Sequence, residues 1–394
     1  MPLKVNRLSD VKKANKLLLY KCIREQNQVS ITELEHITKL SRPTIVGLIN
    51  EMEMEGKVMK IGRGASSGGR TPTLYSINAK AAFAMGIDIE FPAIRMTISD
   101  LNAEPVCSTI RQCSLNSDKD EVLSLLLRQI DDILIESGIK KEKLLGIGMG
   151  IPGIIDRNNN FAVILERIPG WVDVPIGEIV EKHVGRPVLI SNDVDLLSRA
   201  ERKFSSLETL PNMLYIMIRF GVGMSIWMDG KLLQGEWGNA GRVGHMLVNT
   251  EGPACLCGSR GCLGLYVGER GMRRMYREFS GKDVTSTIDL LTLADQGDVN
   301  AVKTLETAGH YLGIGIVNVA NLFDISNVVV SASFDITRLL ELVEPAVKAR
   351  ERHMHRKINV IRGKLKESQY ALGGCMMILE HVNAVSYSNL QEMF

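Results

Sequence analysis

The stretch GHMLVNTEGPACLCGSRGCLG, residues 244–264, gathers His245, Cys255, Cys257 and Cys262 among glycines and small polar side chains. A segment so poor in large apolar residues buries little core of its own, so a fold that includes it needs another source of order. Zinc in a structural site takes four tetrahedral nitrogen or sulfur ligands, and one imidazole with three thiolates supplies that set. Gly258 and Gly261 lie between the last two cysteines, where the chain must turn tightly. The chain has seven cysteines, an odd number with three clustered, which fits metal ligation in a reducing compartment better than a disulfide framework. The expectation is one structural zinc per chain, closed to water and without catalytic chemistry. The alternatives are a redox pair or three unrelated buried thiols.

The net charge of +2 conceals an asymmetry: residues 1–80 carry 14 Lys and Arg against 7 Asp and Glu, leaving 33 against 38 in the rest. A basic segment on an otherwise acidic chain is the electrostatic footprint of nucleic-acid binding. The local pattern agrees. Ser9 is placed to cap a helix with Val11, Ala14, Leu18 and Cys22 on its apolar face and Lys12, Lys13 and Lys16 on the wet side. Ser30 to Lys39 reads as a second helix, apolar at Ile31, Leu34 and Ile37. After a turn at Leu40, Ser41 caps a third helix with Pro43 in its first turn. There Ile45, Leu48, Ile49 and Met52 repeat at helical spacing, so Pro43, Val46, Gly47 and Asn50 face outward, with Arg42 and Thr44 at the N-terminal end. Gly56 closes this helix, KVMKIG reads as a strand, and RGASSGGRTPTLYSIN reads as a glycine-rich loop with a return strand. The whole predicts a winged helix-turn-helix: Arg42, Thr44, Gly47 and Asn50 face bases, while Arg63 and Arg70 in the wing meet phosphates or a minor groove. Double-stranded DNA is the expected partner; the alternative is a small helical module that packs on another protein.

After Asn78 the composition changes. AMGIDIEFPAIRMTISDLNAEPV holds two β-rich runs and a turn near Asp100 to Ala103, a helix is expected near Asp120 to Ser137, and LLGIGMGIPGIID is a further β run, read as a strand edge. Strands alternate with helices through PVLISNDVDLL, MLYIMIRFGVGMSIWMDGKLL and ISNVVVSASF, which predicts an α/β architecture of two lobes around a cleft. A length of 394 residues, 45% of them hydrophobic, allows more than one sizeable core. No run of about eighteen apolar residues occurs and the start lacks a signal-peptide apolar region, so a cytoplasmic protein with no membrane partner is expected. Eighteen methionines read as adaptable core filler, and Arg270 to Phe279 as a solvated helix or subunit contact.

Together these motifs carry a resemblance. The winged segment with SGGRTPTLYSIN, GIDI at Gly86, GIPGIID at Gly150, SNDVDLL at Ser191, DGKLLQGEWGNAGRVGH at Asp229 and the cysteine cluster resemble the ROK family of regulators and sugar kinases. The likeness covers nearly the whole chain and is to members related to the N-acetylglucosamine and xylose repressors. It implies a winged helix-turn-helix over residues 1–80, followed by a two-lobed, actin-like or hexokinase-like domain over 81–394. The lobes are expected at about 81–195 and 196–380, with a C-terminal helix returning to the first. A homodimer or higher homo-oligomer is implied as well.

In the sugar-binding relatives, hydroxyls are held by an Asn-Asp pair, a Glu three residues before the zinc-ligand His, that His, and a Glu two residues after the last Cys. Asn192, Asp193 and His245 match, whereas Arg242 and Gly264 stand where the glutamates would be. Arginine presents only donors and glycine no side chain, so the expected effector is a sugar phosphate or sugar acid rather than a neutral sugar. Relatives that phosphorylate sugars hold phosphates with an Asp-x-Gly-Gly-Thr turn and a loop rich in Gly and Thr. Here Asp88 is followed by IEFPA, RFGVGMS puts Arg219 and Phe220 in place of a glycine and a hydroxyl, and SASF at Ser331 replaces an adenosine-side glycine cluster. Asp193 matches the catalytic base but has no phosphate cradle beside it, so it is read as a vestigial kinase position and the chain as a non-enzyme. The implied function is a sequence-specific DNA-binding regulator, a repressor of carbohydrate-related genes. The alternatives are a sugar kinase with a DNA-binding head and a regulator whose decayed cleft answers to a protein partner.

Overall fold

The computed structural model describes residues 8–64, 71–114, 116–157, 159–165, 167–354 and 357–384; Arg70 lies outside them. The N-terminal unit comprises α1 (Leu8–Gln26), β1 (Val29–Ser30), α2 (Ile31–Thr38), α3 (Arg42–Met54), β2 (Val58–Arg63) and β3 (Thr73–Ile77). Ser30 opens α2 with a reciprocal cap, its side chain accepting from the Glu33 N–H while the Glu33 carboxylate accepts from the Ser30 N–H at 2.7 Å. Helix α3 buries Ile45, Leu48, Ile49 and Met52 as its periodicity predicts. At the start of α3 the Ser41 carbonyl accepts from the Ile45 N–H at 3.0 Å, while its side chain makes no capping bond and instead shares one with the Thr44 hydroxyl at 2.8 Å. Strands β1, β3 and β2 form an antiparallel sheet behind the helices.

Helix α1 departs from expectation. It already includes Ser9, which therefore lies inside the helix rather than at its cap. Its apolar face is rotated by one position: Leu19, Cys22 and Ile23 are buried, whereas Val11 and Leu18 are 45% and 40% exposed. Lys16 is not on the wet side. It is 9% exposed and its ammonium meets Glu51 at 3.7 Å and also Glu55, so the end of α3 draws it inward. Ile37, assigned to the apolar face of α2, is 48% exposed.

The remainder begins with β4 (Phe83–Glu90), β5 (Ala93–Ser99), β6 (Pro105–Gln112), α4 (Lys119–Ser137) and β7 (Leu144–Ile151). A small antiparallel sheet of β8 (Ile154–Asp156), β9 (Phe161–Ile164) and β10 (Val172–Val174) follows, then α5 (Ile176–Val184), β11 (Val188–Asn192) and α6 (Asp193–Phe204). Next come β12 (Met213–Ile218), β13 (Val222–Met228), β14 (Lys231–Leu232), α7 (Gly264–Val267), α8 (Glu269–Ser280), α9 (Thr287–Asp295) and α10 (Val299–Phe323). The chain closes with β15 (Asn327–Ala332), α11 (Thr337–Met354), β16 (Asn359–Arg362) and α12 (Leu372–Ala384).

Two five-stranded sheets result, β11-β7-β4-β5-β6 and β14-β13-β12-β15-β16. Each has its first strand in the centre, an antiparallel pair to one side and two parallel strands to the other, so the lobes repeat one topology although no sequence repeat announces it. Helices α4 and α5 cover the outer face of the first sheet and α7 to α11 that of the second, while α6 and α12 lie between the sheets. Strand β7 is an interior strand, not an edge. Its glycines make room for the helices between the sheets: a Cβ on Gly148 would stand 2.2 Å from the Gly374 carbonyl oxygen of α12 and one on Gly150 3.2 Å from the Asp193 Cα of α6, while one on Gly86 of β4 would stand 1.8 Å from the Ala371 carbonyl oxygen. Bare backbone lets α12 press onto the sheet.

The N-terminal unit and the first lobe share one apolar cluster, in which Leu19, Ile23 and Ile77 continue through Ala84, Leu101 and Leu145 to Leu372 and Cys375 of α12. Only residues 78–82 separate β3 from β4. Across this junction the Leu101 N–H donates to the Ala79 carbonyl at 3.0 Å and Arg24 donates to the Leu101 carbonyl at 3.5 Å. Among the described residues no helix is long and apolar enough to cross a membrane.

Candidate functional site

Between the lobes lies a cavity of about 220 Å³ whose wall includes Asn192, Asp193, Arg242 and His245. The sequence-derived ligand residues therefore converge on one space. Asn192 ends β11 and caps α6, accepting from the Val194 N–H at 3.1 Å, which makes Asp193 the first residue of the helix between the sheets. Gly264 begins α7 beside the backbone of Gly244, so that position offers the cavity no side chain.

Arg219, just after β12, dominates the floor. Its guanidinium lies 3.1 Å from Asp88, 3.3 Å from Glu90 and 3.4 Å from Asp193, and stacks 4.6 Å from the centre of the Tyr370 ring. Arg95 reaches Asp88 and Glu90 at 3.2 Å each and also pairs with Glu367. Asp88 is fully buried and Asp193 8% exposed, so these are desolvated charges held by one another. The sequence marks Arg219 as a departure from a glycine but gives no sign of its three partners.

Burial pushes the Asp193 carboxyl up to about 7, with Arg219 opposing the shift and Asp88 and Glu90 adding to it. The folded state therefore holds a proton that the unfolded chain releases near its ordinary carboxylate value. Stability is expected to fall as pH rises from about 4 to about 7, the window between the two pKa values. In Asp193→Asn this component vanishes, and denaturant unfolding measured across the window should give a flatter profile than wild type. Parallel profiles would show that Asp193 does not titrate there.

Two further residues of the wall are not singled out by the sequence. Arg167 follows β9 and lies half-buried with its guanidinium carbon 4.1 Å from the Phe220 ring centre and 5.6 Å from that of Phe91. Asn239 of the loop after β14 clasps the first lobe, donating to the Ile155 carbonyl at 3.1 Å and accepting from the Ile155 N–H at 3.4 Å. Arg242 itself is exposed at the cavity wall.

His245 joins the cavity to the cysteine cluster. The ligand atoms of His245, Cys255, Cys257 and Cys262 all lie within 4.8 Å of one another. The Cys257 and Cys262 sulfurs are 3.6 Å apart, as are Cys255 Sγ and His245 Nδ1. Tetrahedral zinc with Zn–S bonds of about 2.3 Å sets ligands about 3.8 Å apart, so the donor set fits this metal. The backbone holds it ready: Cys255 N–H donates to the Ser259 carbonyl at 2.8 Å, Leu247 pairs with Cys262, and Gly258 and Gly261 take φ of 89° and 60°. A Cβ at Gly261 would stand 1.6 Å from the Asn249 carbonyl oxygen, which excludes other residues.

Outside the cleft, Arg42, Thr44, Gly47 and Asn50 are all exposed on α3, Gly47 and Asn50 on the face away from its buried residues and Arg42 and Thr44 in its first turn. Arg42 pairs with Glu35 at 2.8 Å. Arg63 is exposed at the end of β2.

The match to the ROK family extends over residues 84–381, and the chain belongs to that family. It is 28% identical over 374 residues to a xylose repressor of Bacillus subtilis, covering 94% of this chain and 96% of that one. It is also 29% identical over 264 residues to a glucokinase of Halalkalibacterium halodurans, covering 62% of this chain and 78% of that one. A crystal structure described as a ROK family transcriptional regulator, homolog of the Escherichia coli MLC protein, shares the fold with TM-score 0.78 at 21% identity, over 97% of this chain and 99% of that one.

Proposed function

We propose that this protein is a sequence-specific DNA-binding transcriptional regulator, a repressor of carbohydrate-related genes, whose kinase-like domain binds a sugar effector and does no chemistry. The observation that carries the reading is α3: Gly47 and Asn50 are exposed on the face away from four buried apolar residues, with Arg42 and Thr44 exposed at its N-terminal end, in a chain 94% of which aligns with a xylose repressor. Residues 1–80 are then a winged helix-turn-helix, with α3 as recognition helix and the hairpin of β2 and β3, carrying Arg63, as wing. Residues 81–394 form the effector and oligomerisation domain. A homodimer would present two such heads to two half-sites, and a sugar that prefers one arrangement of the lobes would shift the population that fits the operator.

Arg219 supports the non-catalytic part. It ties down Asp193, the position of the kinase base, and fills with a guanidinium the segment that in kinase relatives holds phosphate. Zinc in the His245, Cys255, Cys257 and Cys262 cluster supplies order, with no coordination position left for water.

The test is to select duplexes with the full-length protein and measure their affinity by fluorescence anisotropy. Asn50→Ala is expected to weaken the selected duplex by about 10–100-fold and leave a scrambled one unchanged. Arg63→Ala should weaken both and lower the salt slope by about one. Failure to prefer any duplex over scrambled DNA would sink the reading, and ATP-dependent phosphorylation of glucose by the purified protein would overturn its non-enzymatic half.

A further inference from the structure

We infer that the cleft's ligand carries an acidic group, a carboxylate or a phosphate on a sugar frame, gripped by Arg167 of the first lobe and Arg242 of the second. This rests on the sugar-site reading above and deepens it. The argument is one of charge accounting. Asp88, Glu90 and Asp193 approach the cavity, and all three are engaged by Arg219, with Arg95 on the first two. Glu269, the other carboxylate whose field reaches Arg167, accepts from Thr287 at 3.3 Å and from Ser333. Among the described residues none forms an ion pair or side-chain hydrogen bond with Arg167 or Arg242, yet both line the cavity.

Their setting is built rather than incidental. The Phe91 and Phe220 rings hold the Arg167 guanidinium, leaving its N–H groups as its free polar surface. Burial lowers the Arg167 pKa and the fields of Glu90 and Glu269 only partly oppose it, so the site carries a desolvation cost that an anion would relieve. Arg242 is fixed through its backbone: a Cβ on Gly241 would stand 1.8 Å from the Met224 carbonyl oxygen and one on Gly244 2.3 Å from that of Val222, so the segment is pressed onto β13. Two guanidinium groups that form no ion pair among the described residues, one from each lobe, suit a single planar or tetrahedral oxyanion between them. An acid held this way ties the lobes together, which a neutral sugar bound to one wall does not.

Calorimetric titration of the zinc-loaded full-length protein with glucose, xylose, gluconate, glucuronate and glucose 6-phosphate tests the inference. At least one acid is expected to bind tenfold or more tighter than both neutral sugars, with affinity falling as salt rises. The carboxylate and phosphate arms separate the two sources of the anion. Arg167→Ala and Arg242→Ala should each weaken that acid by tenfold or more, and Arg167→Lys, which keeps the charge, should lose less. Unchanged melting of the unliganded variants guards against misfolding, and the salt dependence of wild type stands without any variant. Neutral sugars binding as tightly as the acids, or acid affinity indifferent to both substitutions, would overturn the inference and leave the sugar site standing. Silence from all five probes would overturn both.

Discussion

Arg219→Met is expected to cost the protein about 3–5 kcal/mol of stability at neutral pH, because it removes the shared counter-charge of three desolvated carboxylates and leaves them facing one another. Methionine matches much of the apolar volume, so the loss reads electrostatics more than packing. Arg95 remains on Asp88 and Glu90 but makes no pair with Asp193, which is thus the group left without an ion pair. In the variant the Asp193 and Glu90 carboxyls, already raised by burial, lose the opposing field of Arg219 and rise further, so acidification neutralises them and the gap to wild type should narrow between pH 7 and pH 5. Arg219→Lys, which keeps the charge but not the three-way fork, should fall between the two. Urea unfolding at several pH values measures all three proteins. A loss below about 1 kcal/mol for Arg219→Met would mean that the network is incidental to the fold.

Removal of the metal ligands is the second large effect. Wild-type protein prepared without chelator is expected to hold about one zinc per chain, and Cys262→Ser close to none. Cys262 is buried and pairs with Leu247, so without metal the 245–264 segment loses its anchor and His245 loses its place on the cavity wall. The variant should melt at lower temperature and fail to respond to any sugar, while Cys375→Ser serves as control. Cys375 is equally buried but donates weakly to the Ala84 and Thr97 carbonyls on the first sheet, so its loss should leave metal content intact. Full metal content in Cys262→Ser, or a metal-free protein with unchanged melting, would contradict a structural zinc.

What was legible in the sequence follows the range of the interaction that decides it. The buried face of α3 was readable because Ile45, Leu48, Ile49 and Met52 meet neighbours at one helical period. The face of α1 was misread because the run LLLY leaves its phase open, and the burial of Leu19 and Ile23 in the core shared with the first lobe, with Lys16 turned toward Glu51 and Glu55, is visible only in the fold. Strand β7 was recognised as a strand but placed at an edge, since its glycines look weak locally and make sense only against tertiary neighbours, Gly148 against α12 and Gly150 against α6. The convergence of His245, Cys255, Cys257 and Cys262 was legible because three of the four are close in sequence. The cleft was half legible: Asn192, Asp193, Arg242 and His245 stand in quotable motifs, whereas Arg167 is carried in from a distant loop and is identified only by its stacking on Phe220. Arg219 was visible as a substitution, but its three carboxylates come from β4 and α6, and sequence carries no distances.

The short junction at residues 78–82 has a mechanical meaning. With a shared core beneath it and backbone bonds across it, the N-terminal unit rides on the first lobe like a bit on a drill chuck rather than a float on a line. A tether would average away any rotation of the lobe beneath it, whereas a rigid mount transmits that rotation undiminished, with displacement growing with distance from the pivot. In the homodimer proposed above, the gap between the two α3 helices would then be a readout of lobe angle.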